Sequence, residues 1–231
     1  MTQVGSWDPP SLAAARTDRD TSGVVDAGGD SPRVQSRSEV IRGVSTPVVL
    51  ASGSPRRLDL LRSAGLDPVV CPGEVDETPR AGEEPRAYVA RLAELKALAS
   101  TSSHSAPVVA ADTTVDCDGR ILGKPRDATA AAELLRELSG RSHLVHTGVA
   151  VRSATAAQPG DVRVRVVTTT VTFADLDEPT IDWYISTGEP FDKAGGYGIQ
   201  GAGACLVERV EGSVTNVIGL PLVETLELLR G

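Results

Sequence analysis

The 231-residue sequence has no apolar run near the roughly 20 residues that a membrane-spanning helix needs. Its N-terminus lacks the basic-then-apolar pattern of a secretory leader, so no membrane or export is expected. It has only three cysteines, Cys71, Cys117 and Cys205, an odd number with no CxxC pair. That disfavours a disulfide scaffold or a structural zinc site and fits a reducing, cytoplasmic compartment. Positive charge is in deficit: 23 Lys+Arg stand against 31 Asp+Glu, a net charge of -8. Proteins that grip nucleic-acid backbone are usually basic, so a nucleic-acid polymer is not an expected partner. Lysine is scarce too, with only Lys96, Lys124 and Lys193 in a chain that otherwise uses arginine.

The length allows one large domain or two small ones. Residues 1–46 are poor in large aliphatics, with only Leu12 and Ile41, and rich in Gly, Ser, Thr and Asp. Such a stretch cannot bury enough apolar surface to offset its ordering entropy. The expectation is a disordered N-terminal extension, or a start codon placed too early, ahead of a folded body over 47–231.

In that body Val48–Ala51 reads as a buried strand, and Ser54-Pro55 opens a helix that Gly65 ends. Leu58 and Leu61 give that helix its apolar face. Pro68–Cys71 reads as a second strand, followed by an acidic loop with Glu74, Asp76 and Glu77. Residues 84–100 read as a helix with Tyr88, Leu92, Leu95 and Ala99 on one stripe. Pro107–Ala111 reads as a buried strand ending at Asp112. A hairpin over 113–122 turns at Asp118-Gly119, and Asp127 caps a helix running to Ser139. Strands over 144–152 and 162–173 flank a loop near Pro159-Gly160. A helix over 179–187, a glycine-rich loop, a hairpin around Glu211-Gly212 and a helix opened by Pro221 complete the chain. Helices alternate with strands and hairpins intervene, so the fold class is α/β (α+β) with a mixed sheet.

Four places can carry chemistry. Ser52-Gly53-Ser54-Pro55-Arg56-Arg57 joins a strand to a helix N-terminus. Free N–H groups, two hydroxyls and two guanidiniums there suit phosphate oxygens, although an ordinary cap with solvated arginines has the same composition. Asp112, followed by Thr113, stands at a strand end where it can hold a divalent cation or take a proton; Gly123-Lys124-Pro125 returns towards it on the hairpin. Lys96 borders the apolar stripe of its helix and can reach into a cleft, with Glu77 in the acidic loop as a second carboxylate. The stretch from Glu189 to Gly201 holds four glycines and Gln200, whose amide offers a donor and an acceptor to a base edge. His143 and His146, three apart in a strand, point to opposite faces and read as structural.

Taken in order, the strand with ASGSPRR, YVARLAELKA, ADTTV…GRILGKP, LSGRSHLVHTGV, TGEPFDKAGGYGIQG and NVIGLPL resemble the Maf family of nucleoside triphosphate pyrophosphatases. The resemblance runs from about Pro47 to Gly231. It implies a two-lobed, inosine-triphosphatase-like fold with a long mixed sheet and a central cleft, often in a homodimer. It also implies cleavage of a nucleoside triphosphate between the α and β phosphates with a divalent cation, Mg²⁺ or Mn²⁺. On that resemblance Asp112 is the proton acceptor. Arg56, Arg57, Lys96, Lys124 and Glu77 line the phosphate and metal region, with Asp112 and Glu77 on the metal and Ser52 and Ser54 beside the substrate. Arg57, Thr113 and Gln200 fall where substrate is chosen, and the Gly-Ile-Gln-Gly loop resembles the dTTP/UTP branch rather than the one acting on 7-methyl-GTP. The implied role is removal of non-standard nucleotides from the pool. An inosine/xanthosine triphosphate pyrophosphatase and a non-catalytic nucleotide-binding regulator of septum formation are the rival readings. Lys193 reads as structural, pairing with Asp192 or Glu189.

Overall fold

The computed structural model describes residues 47–101, 106–154 and 161–230. The extension expected over 1–46 and the loop at Pro159-Gly160 lie outside them. The order is β1 (Val49–Leu50), α1 (Pro55–Ser63), β2 (Val69–Val70), α2 (Pro85–Ala99), β3 (Val108–Cys117), β4 (Arg120–Leu122), α3 (Ala128–Leu138), β5 (Ser142–Arg152), β6 (Val162–Phe173), α4 (Glu178–Ser186), β7 (Val207–Glu211), α5 (Val214–Ile218) and α6 (Leu222–Arg230). This is an α/β fold on one mixed seven-stranded sheet ordered β2-β1-β3-β5-β6-β7, with β4 paired to β3. β1 runs parallel to β2 and β3, while β3, β5, β6 and β7 are antiparallel neighbours. No helix among the described residues is long and apolar enough to cross a membrane.

Side chains alternate across a strand, so β3 sorts its residues between two faces. Val108 and Ala110, with Val49 and Ala150, pack against Ala93 and Ala97 of α2. Val109 and Ala111 face the other way, under Leu60 and Leu61 of α1 and Leu226 and Leu229 of α6. Further along that second face, Val115 and Cys117 lie under Leu135 and Leu138 of α3 and Tyr184 of α4. Two helical covers thus share one face of the sheet, and the space between them falls at Thr113.

Four expectations change. Asp112 is not at a strand end: the presumed strand and the first hairpin arm are one strand, β3, because nothing between Val108 and Cys117 breaks it. The buried seam of α2 is Val89, Leu92, Ala93 and Ala97, which leaves Tyr88 and Leu95 only half-buried. No hairpin forms at Glu211-Gly212; β7 ends there and Ser213 caps α5 by accepting the Asn216 N–H. Ser54 does occupy the cap position of α1, followed by Pro55, but its hydroxyl makes no capping bond. Asp127 caps α3 as its sequence suggests, accepting the Ala130 N–H.

Candidate active site

Between the two covers lies a cleft of about 660 Å³. Its position follows from the sheet. β1 pairs with β3 only at Val108 and Val109, and β4 pairs only from Val115 onward. Between those contacts the edge of β3 has no neighbouring strand, so residues of both faces reach the same opening. Asp112, from the α2 face, and Thr113, from the opposite face, are the result. All ten residues singled out from the sequence line this cleft: Ser52, Ser54, Arg56, Arg57, Glu77, Lys96, Asp112, Thr113, Lys124 and Gln200.

On the Asp112 side the cleft is charged. The Lys96 ammonium, from the last turn of α2, donates to Asp112 Oδ1 at 2.7 Å and pairs with Glu77 Oε1 at 2.6 Å. Asp112 is 7% exposed, and burial pushes its carboxyl above the ordinary range despite the opposing pull of Lys96 and Arg57. Glu77 goes the other way. Its partial burial opposes ionisation, but the Lys96 hydrogen bond and the charges of Lys96, Lys124 and Arg57 outweigh it and hold the carboxyl below its usual value. One carboxyl is thus biased towards taking a proton and its neighbour towards staying ionised. Lys124 is exposed on the loop after β4, as expected of the returning hairpin arm. The Tyr88 phenol is pushed up to about 12 by burial and by Asp112 and Glu77, so it stays protonated. The spacing of Tyr88 puts it on the apolar stripe, but it lines the cleft two helical turns before Lys96 on the same side of α2.

On the Thr113 side each nitrogen of the Arg57 guanidinium has a partner. Its Nε donates to the Gly219 carbonyl at 2.8 Å, Nη1 to Ser52 Oγ at 3.0 Å and Nη2 to Thr113 Oγ1 at 3.1 Å. Enclosure lowers its pKa, an effect that Asp112 partly offsets. The rest of this side is largely apolar, with Val115, Val145, Val217 and Ile218 in the lining and Gln200 exposed at the rim. At the mouth, Arg56 Nη1 pairs with Asp192 Oδ2 at 2.8 Å, from α1 to the turn after α4. Lys193 donates to the Glu189 carbonyl at 2.7 Å and to Asp192 Oδ1 at 2.5 Å, the structural role expected of it. His143 and His146 are buried: His143 meets the Tyr197 hydroxyl at 2.7 Å, and His146 bridges Asp116 and Thr168.

A cleft with a buried carboxyl, a second carboxylate and several cations has the chemistry to hold a polyanion. The family model for "Maf-like protein" matches residues 47–231, and the chain belongs to that family. It is 52% identical over 183 residues to a dTTP/UTP pyrophosphatase of Anaeromyxobacter dehalogenans, covering 79% of this chain and 92% of that protein. It is 50% identical over 186 residues to a dTTP/UTP pyrophosphatase of Myxococcus xanthus, covering 80% and 92% respectively. Among solved structures, a dITP/XTP pyrophosphatase from Mycobacterium abscessus aligns with 20% identity and a TM-score of 0.35, over 56% of this chain and 74% of that one.

Proposed function

We propose that this protein hydrolyses dTTP, UTP or other nucleoside triphosphates, modified ones included, to the monophosphate and pyrophosphate, and so removes non-standard nucleotides from the pool. The observation that carries the reading is the Asp112–Lys96–Glu77 cluster at the edge of β3, in one cleft with Arg56, Arg57 and Lys124. A triphosphate brings several negative charges into an acidic protein, and these cations supply the local compensation. The names of the relatives support the reaction and the pyrimidine preference.

Asp112 would take a proton from the attacking water as its oxygen bonds to the α phosphorus. The bond from that phosphorus to the bridging oxygen breaks, and the electron pair leaves with pyrophosphate. Lys96 would orient Asp112 and, with Lys124 and Arg56, draw off charge from the leaving group. Ser52, Ser54 and the open N-terminus of α1 would hold phosphate oxygens. Arg57, Thr113 and Gln200 would select the base.

A divalent cation fits the donor set. Mg²⁺ typically takes one or two carboxylates and draws its other ligands from water and phosphate oxygens. Asp112 and Glu77 both reach one ammonium position, so they can share one cation; no group of three or more such side chains occurs among the described residues. When bound, Mg²⁺ or Mn²⁺ would add positive charge at the phosphate oxygens. The reading sets the enzyme in the cytoplasm with its nucleotide pool. The family resemblance supports a homodimer, which the molecular mass in solution tests.

The deciding assay is pyrophosphate release from a panel of canonical and modified triphosphates with Mg²⁺. Asp112→Asn is expected to lower kcat by about 10²–10⁴-fold, the usual worth of a positioned general base. Turnover confined to purines would overturn the base preference, and binding without turnover would overturn the enzyme.

A further inference from the structure

We infer that Thr147, a buried residue of β5 outside the cleft lining, fixes the hydroxyl of Thr113 as an obligate hydrogen-bond acceptor and thereby makes the site select a base with an imino N–H, thymine or uracil, over cytosine. The inference rests on the proposed function and deepens it.

The proton order follows from the partners. Thr147 Oγ1 lies 3.0 Å from the main-chain carbonyl of Asn216, which can only accept, so the single hydroxyl proton of Thr147 goes there. Thr113 Oγ1 lies 2.9 Å from Thr147 Oγ1, directly across the β3–β5 ladder. With the Thr147 proton already committed, Thr113 is the donor in that contact. A second acceptor, the Gly219 carbonyl, stands further from Thr113 at 3.4 Å and already receives Arg57 Nε. Arg57 Nη2, which can only donate, fills one lone pair of Thr113 at 3.1 Å. Thr113 is half-buried, and its remaining lone pair is what its hydroxyl can offer the cleft.

The chain of bonds is held from behind. Thr147 and Asn216 are both 0% exposed. The Asn216 side-chain amide donates to the Val145 carbonyl at 3.0 Å and to Thr169 Oγ1 at 2.9 Å, which pins α5 to β5 and β6. The Asn216 carbonyl therefore cannot swing away and release the Thr147 proton. This gives a purpose to the NVIGLPL segment, which the reaction leaves without one: Asn216 orders the protons and Gly219 anchors Arg57.

The base belongs on this side of β3 because charge and apolar surface are divided by the strand edge. Lys96, Asp112 and Glu77 occupy the α2 face, whereas Thr113 shares its face with Val115 and Val145. In thymine and uracil the central atom of the pairing edge, N3, carries a proton; in cytosine it carries a lone pair. An acceptor-only hydroxyl bonds the first and opposes the second, and rejecting a ligand that leaves a buried polar group unpaired is the stronger form of discrimination.

The test uses the full chain, with Thr147→Val and Thr147→Ser, and reads both equilibrium binding and pyrophosphate release for dTTP and dCTP. Thr147→Val removes the nearer acceptor and leaves only the Gly219 carbonyl, at 3.4 Å, to compete with a ligand for the Thr113 proton, so the dTTP-over-dCTP ratio is expected to fall at least tenfold, while Thr147→Ser keeps the wild-type ratio. A lesion that merely loosens the fold would weaken both nucleotides together and leave the ratio in place. An unchanged ratio in Thr147→Val, or a Ser variant that behaves like Val, overturns the inference alone. Selective binding of dTTP without turnover overturns the enzyme reading and leaves the inference standing. If wild-type protein does not prefer dTTP to dCTP in binding, the inference falls, and pyrophosphate release alone decides the enzyme reading. Should Thr147→Val not fold, dTTP methylated at N3 replaces it as the probe: at least tenfold weaker binding to wild-type protein is expected, and equal binding overturns the proposal.

Discussion

Asp112 and His143 are both buried ionisable groups, and burial acts on them in opposite directions. A carboxylate that must accept a proton works only when ionised. Burial raises the Asp112 carboxyl above the ordinary aspartate value of 3.8, and Lys96 and Arg57 reduce that shift without cancelling it. The acidic limb of a kcat/KM profile should therefore lie above pH 3.8, and Lys96→Met should move it higher as well as slowing turnover. A limb that stays in place in that variant would remove Asp112 as the titrating base. For His143, burial lowers the imidazole from 6.5 to about 4. Below pH 6.5 the unfolded chain takes up a proton that the fold refuses, so the unfolded state binds more protons. Stability is then complete above pH 6.5 and is lost as pH falls towards about 4, by about 3 kcal/mol in all. Urea midpoints measured down this range should fall in the wild type. In His143→Phe that slope should be largely absent, although the Tyr197 hydroxyl loses its partner and the starting stability is lower.

At the scale of elements, the placement of α2 decides whether Lys96 reaches Asp112. The helix lies so close to β5 that a Cβ added at Gly148 would run into the backbone of Val89 and Ala90. Gly148 faces Asp112 directly across the ladder. Gly148→Ala should push α2 outward, cost about 1–3 kcal/mol as overpacking does, and carry Lys96 away from Asp112. A lowered urea midpoint together with a lowered kcat is the expected pair; unchanged kcat would show that α2 and the cluster are not coupled. Much of this architecture is legible locally. Asp127 as a cap, Asp118-Gly119 as a turn and the glycines after α4 all act within a few residues of chain. Asp112 was misplaced because a polar residue after an apolar run looks like an ending, whereas here a β-rich run simply continues to Cys117. Glu211-Gly212 misled in the other direction, since the helix cap at Ser213 carries a stronger local pattern than the turn before it. The Thr113–Thr147–Asn216 chain was illegible for a different reason. Its members lie 34 and 69 residues apart, and only the strand register and the seating of α5 bring them together.

Across the described body, two kinds of tie connect the covers on either side of the cleft. β3 and β5 run beneath both covers, so the floor is one continuous β3–β5 ladder. The mouth is held differently, by Arg56 reaching across to Asp192. Burial disfavours the Asp192 charge, but its bonds to Lys193 and Arg56 prevail and hold the carboxyl down to about 2, so the pair is ionised at any working pH. Arg56 is also one of the cations proposed to meet the triphosphate. A phosphate oxygen must therefore compete with the Asp192 carboxylate for the same guanidinium, in a chain whose net charge is -8. Removing the carboxylate's charge should favour the substrate: Asp192→Asn is expected to lower KM for dTTP severalfold with kcat little changed. The pair is substantially exposed, at 31% and 63% of the two side chains, so its loss should cost no more than about 1 kcal/mol in a urea titration. The KM difference should shrink as salt is added, because screening weakens the competing ion pair in the wild type. If KM rises instead, Asp192 positions Arg56 for the phosphate, and the mouth is built to receive the substrate rather than to be opened by it.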